Sequence, residues 1–91
     1  MALIVHFTPQ GLNEKNYAEI LRRLEAAGAG APPGRLHHTC YGPKNALKVV
    51  DVFDTPQNFE AFGATLVPIL KSLDVDVGKP DVTEVHNIIR G

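Results

Sequence analysis

Apolar positions along this chain follow two periods. From Ala2 to Phe7 (ALIVHF) every residue except His6 is apolar, over a length that suits a strand buried on both faces. Thr8-Pro9-Gln10-Gly11 ends that run, since proline and glycine punctuate strands. Tyr17, Ile20, Leu21 and Leu24 then recur at i, i+3, i+4 and i+7, one face of a helix. Asn13 is its predicted N-cap, Glu14 suits the positive end of the helix dipole, and Gly28 offers a left-handed stop. Two prolines forbid a helix in Ala29 to Gly34. Arg35 to Tyr41 (RLHHTCY) reads as a second, less apolar strand. Gly42 to Asn45 has turn composition, and a third strand follows from Ala46, so strands two and three form a hairpin.

The third strand feeds directly into a helix. Val49, Val50, Val52 and Phe53 are β-branched or aromatic, and Thr55-Pro56 is a helix start: the hydroxyl caps, and proline at the first position gives up no needed donor. Phe59, Phe62, Leu66, Ile69 and Leu73 make one apolar stripe, with a kink or short break expected at Pro68. Val75 to Pro80 is a loop. Val82 to Ile89 is a predicted fourth strand, with Thr83, Val85 and Asn87 on one face and Glu84, His86 and Ile88 on the other. The order βαββαβ predicts one ferredoxin-like α+β domain over residues 1–91. Its four-stranded antiparallel sheet has spatial order four-one-three-two and carries both helices on one face. Strands apolar at nearly every position leave the other face in need of cover, which predicts a homodimer through the sheet.

Composition narrows the partners. Nine Lys+Arg against ten Asp+Glu, with no block of like charge, argues against nucleic acid or an anionic membrane surface. No apolar run approaches the roughly 18 residues that span a bilayer. One cysteine, Cys40, excludes an internal disulfide and suits a reducing cytoplasm. The N-terminus lacks the pattern of a signal peptide.

Four histidines, His6, His37, His38 and His86, fall on predicted strands, and imidazole is the side chain suited to proton transfer near neutral pH. With a Gly42–Asn45 loop, Tyr41 faces Ala46, His38 faces Val49 and Leu36 faces Asp51. Leu36, His38 and Cys40 then share a face with Val49, Asp51 and Phe53, and His38 lies diagonally to Asp51. A carboxylate that fixes a histidine tautomer makes a usable base, so His38 and Asp51 are the candidate catalytic pair. The competing reading is a half-buried histidine satisfied by a neighbour or by water. His6 and His86, on adjacent strands, are candidate ligand contacts or an inter-strand hydrogen bond. Tyr17, Phe59 and Phe62 are candidate pocket walls or plain core. Cys40 reads as a small buried residue. Consecutive His37 and His38 point to opposite faces, and no metal-ligand spacing occurs, so no metal is expected.

The chain resembles the dimeric α+β barrel superfamily, in particular small proteins related to antibiotic-biosynthesis monooxygenases. The likeness rests on Lys48-Val49-Val50-Asp51-Val52-Phe53, Thr55, Phe59, Phe62 and Leu66-Val67-Pro68-Ile69-Leu70, with Val85-His86-Asn87-Ile88-Ile89 at the end. It implies two sheets packed across a two-fold axis and a pocket between sheet and helices. Among such proteins some oxidise aromatic polyketides without a cofactor and some break open haem. Phe62 stands where the haem-degrading members place a Trp, Ser72 lies near their His, and the chain has no Trp, which argues against that chemistry. The resemblance implies a cofactor-independent, monooxygenase-like enzyme on a small apolar or aromatic molecule. The alternatives are a binding protein for such a molecule or a stress-related dimeric scaffold.

Overall fold

A computed structural model describes residues 1–91. The elements are β1 (Leu3–Phe7), α1 (Glu14–Ala26), β2 (Arg35–Tyr41), β3 (Lys48–Phe53), α2 (Pro56–Ser72) and β4 (Asp81–Glu84). The sheet is antiparallel with order β2-β3-β1-β4, the predicted ferredoxin-like arrangement. Leu3, Val5 and Phe7 of β1 and Val49 and Phe53 of β3 turn one way, onto Ile20 and Leu24 of α1 and Phe62 and Leu70 of α2. Phe53 is wholly enclosed and packs its ring against Phe59 and Phe62.

Both helices are capped as their sequences dictate. Asn13 and Asn16 form a reciprocal capping box, each side chain accepting from the other's backbone N–H at 2.9 and 2.7 Å. At the far end of α1 the N–H of Ala29 reaches Leu24 O and that of Gly28 reaches Glu25 O. This is a Schellman closure, and it needs the positive φ of 76° that Gly28 supplies. In α2 the Thr55 hydroxyl accepts from Asn58 N at 3.2 Å, and Pro56 occupies the first helical position.

Three expectations are corrected. The helix α2 runs through Pro68 without a break. Pro68 and Ala64 are both exposed, so the carbonyl that loses its helical donor there faces water. The fourth strand stops at Glu84, short of Ile89, where its pairing with β1 ends: Glu84 pairs with Leu3, and Val85 N bonds Ala2 O just beyond. The outer face of the sheet is mixed in character. Ile4, Val50 and Val52 share it with His6, His37, Thr39, Tyr41, Asp81 and Thr83.

Candidate functional site

Between the inner face of the sheet and the two helices lies a cavity of about 60 Å³. Its walls are apolar: Phe7, Leu12, Ile20, Leu24, Val49 and Phe62 among others. Four polar residues break that lining, namely Tyr17, Arg35, His38 and Asp51.

Pairing between β2 and β3 places His38 directly opposite Asp51. The hairpin loop is longer than the turn residues suggest, since Tyr41 stands opposite Lys48. The resulting offset is two residues, which keeps every side chain on its expected face and turns a diagonal neighbour into a facing one. Asp51 is the buried carboxylate of the core, only 2% exposed. Its Oδ1 lies 2.5 Å from His38 Nδ1. An ionised carboxylate only accepts, so Nδ1 carries the proton and donates. In the neutral imidazole Nε2 is then the acceptor, and the Tyr17 hydroxyl, 2.7 Å away, donates to it. The Tyr17 and His38 rings lie parallel to within 4°. Helix α1 supplies the tyrosine, β2 the histidine and β3 the carboxylate, giving the chain Tyr17–His38–Asp51.

Burial pushes the Tyr17 phenol above its ordinary value; Cys40 and Asp51 nearby add to the rise, and the Arg35 charge opposes it. Burial also pushes the Cys40 thiol up, which keeps it protonated and a poor nucleophile near neutrality.

The other candidates separate. Phe62 lines the cavity, whereas Phe59 packs between Phe7 and Phe53 in the core. His6 belongs to the outer face, where its Nε2 meets the Tyr41 hydroxyl at 2.5 Å. His86 lies exposed beyond the end of β4, and the residue opposite His6 is Asp81, so the expected His6–His86 neighbourhood does not form. No group of three metal-ligating side chains converges anywhere in the chain.

Arg35 is the site residue that alternation misses. It stands opposite Phe53, and the register shifts between Arg35 and His37. Leu36, expected to face inward with His38, is instead 42% exposed. No local composition marks this bulge.

This chain shares its βαββαβ fold with solved structures of several other proteins. No family model and no curated protein sequence matches it. Solved structures do. SnoaB, a cofactor-independent oxygenase from Streptomyces nogalater, is similar with a TM-score of 0.63 at 17% identity, over 99% of this chain and 96% of that one. A protein from Chloroflexus aurantiacus, provisionally described as an antibiotic biosynthesis monooxygenase, has a TM-score of 0.60 at 17% identity, over 99% and 97%. The structural-genomics protein YJCS has a TM-score of 0.66 at 9% identity, over 94% of this chain and all of its own. Likeness at such identities establishes the fold.

Proposed function

We propose that this protein is a cofactor-independent, monooxygenase-like enzyme acting on a small apolar or aromatic molecule. The observation that carries this reading is the Tyr17–His38–Asp51 chain set in the wall of an apolar cavity. Removing a proton from an acidic C–H or a phenolic O–H leaves an electron-rich anion able to react with dioxygen. The protein must then supply a base and a dry pocket. His38 Nε2 is the base, Asp51 holds its tautomer and balances the imidazolium that forms, and Tyr17 passes the proton or yields its place to the substrate. Oxygen uptake with hydroxylated polycyclic aromatics tests this. General-base catalysis contributes about 10²–10⁴-fold, so His38→Ala should reduce the rate by that order, and Asp51→Asn by less. Uptake by His38→Ala equal to that of the parent protein refutes the assignment.

A binding protein without turnover is the second reading, and in both the ligand must be admitted to the cavity. The room inside, about 60 Å³, is well below the ~150 Å³ of a cavity that takes benzene, so a ring enters only when the lining opens. Among the aliphatic wall residues, Leu21, Leu66 and Val77 are the ones not buried. In either role we infer a second copy of the chain on the outer sheet face, supported by the exposed Ile4, Leu36 and Tyr41 there and by Ile88 and Ile89 beyond β4. Light scattering that gives a monomer at micromolar concentration excludes it.

A further inference from the structure

Strand β2 spends three residue steps, Arg35 to His38, where β3 spends two, Phe53 to Asp51. The extra residue is taken up between Arg35 and His37, and Leu36 bulges outward. In a regular strand, residues an odd number apart face opposite ways. Here the bulge returns Arg35 to the side of His38, as bulges beside functional sites do. Arg35 therefore joins the cavity wall, with its Cζ 5.9 Å from the centre of the Phe62 ring.

Little of its bonding capacity is used. One N–H group donates to Gly30 O at 3.0 Å. The ion pairs of the chain are Arg22 and Arg23 with Glu19, and His38 with Asp51; Arg35 has none. A guanidinium against apolar walls without a counter-ion keeps a strong demand for an anion, and its planar fork matches a carboxylate in two-point contact. Asp51 does not meet that demand, because it is buried and engaged by His38. Tyr17 is near enough to Arg35 for the guanidinium charge to act on its phenol.

We propose that the cavity selects a small apolar molecule bearing one carboxylate, which Arg35 receives while the apolar part lies against Phe62 and the aliphatic walls. This rests on the reading of the cavity as a ligand site and adds the charge of the ligand to it. Arg35 is thus the residue that sets specificity, and the Tyr17–His38–Asp51 chain faces the atoms next to the carboxylate.

Benzoate and benzyl alcohol share a ring and differ in charge, which makes them suitable probes. Both are titrated into the ¹⁵N-labelled protein and followed by the amide signals of the cavity residues and by the Arg35 Nε–H. Benzoate should bind at least tenfold more tightly than benzyl alcohol and move the Nε–H signal. Arg35→Gln should abolish the preference, and Arg35→Lys should keep part of it. In the unmodified protein, raising the salt concentration should weaken benzoate and leave the alcohol alone. Equal affinities, a preference that survives Arg35→Gln, or salt-insensitive benzoate binding overturns the proposal while the ligand site itself stands. Failure of both probes to move any cavity signal removes the ligand site and the carboxylate together.

Discussion

The pairing of Asp51 with His38 has a measurable energetic consequence. A carboxylate only 2% exposed, bound to one imidazole at 2.5 Å, has no water to fall back on when that partner goes. The contact is a hydrogen bond to a charged group, a class that contributes about 1.5–3 kcal/mol. The full Coulomb attraction is not the right measure, because burying the carboxylate costs several kcal/mol that the contact must first offset. The suitable perturbation is a double-mutant cycle of His38→Ala, Asp51→Asn and the pair. Removing His38 strands the carboxylate and should cost about 2–4 kcal/mol, the loss expected when a buried charge loses its partner, reduced because His38 is itself partly exposed. Asp51→Asn keeps the shape and loses the charge, and should cost about 1–2 kcal/mol. The double variant should be less destabilised than the sum of the two by about 1–2 kcal/mol, within the range found for residues in contact. Urea unfolding is the assay. With a slope of about 1 kcal/mol/M for a chain of this size, the coupling appears as a midpoint displacement of about 1–2 M. Additivity to within ~0.3 kcal/mol, at unchanged slope, would show that Asp51 does not depend on His38 and would refute the reasoning.

Three further outcomes follow from the fold. Pro68→Ala restores a donor to the exposed carbonyl of Ala64 and removes an interior helix proline, so it should stabilise the protein by about 1–3 kcal/mol, read as a rise in thermal midpoint; no rise would mean that α2 is already relaxed around the proline. Burial raises Cys40 above its ordinary 9.0 and Tyr17 above 10.0, so the folded state holds both protons more tightly than the unfolded chain. Their contribution to stability is complete below pH 9 and is lost as pH climbs past those values, and Tyr17→Phe should flatten part of the fall above pH 10. At pH 8 Cys40 should react with a thiol reagent more slowly than free cysteine, and equal rates would contradict its burial.

How far the chain could be read in advance depended on what fixes each feature. Helix limits were legible because Asn13, Gly28, Thr55 and Pro56 act locally, through caps formed within a few residues. The facing of His38 and Asp51 was legible for a different reason. The hairpin loop was misjudged by two residues, and an error of two leaves each side chain on its face. The bulge at Leu36 is an error of one, and it hid Arg35. It lies between the hairpin register and the Gly34 turn, whose carbonyl accepts from Asp54 N–H, and neither segment announces the mismatch alone. The end of β4 is beyond local reading in the same way: Val85 to Ile89 has strand composition, but strand length is set by a partner, and the pairing with β1 ends at Leu3 and Glu84. His86 was misplaced with it.

The displaced Leu36 also bears on how such a domain can change its ligand. Deleting Leu36 would place Arg35 beside His37 and two positions from His38, so strict alternation alone would keep the arginine opposite Phe53 at the cavity wall. The Leu36 deletion should therefore still bind benzoate more tightly than benzyl alcohol. Ironing out the bulge at full length would instead bring Leu36 opposite Phe53 and turn the arginine to the outer face, making a cationic pocket a neutral one with every amino acid unaltered. Selectivity in this architecture is carried by the register of the strand as much as by the residues it contains.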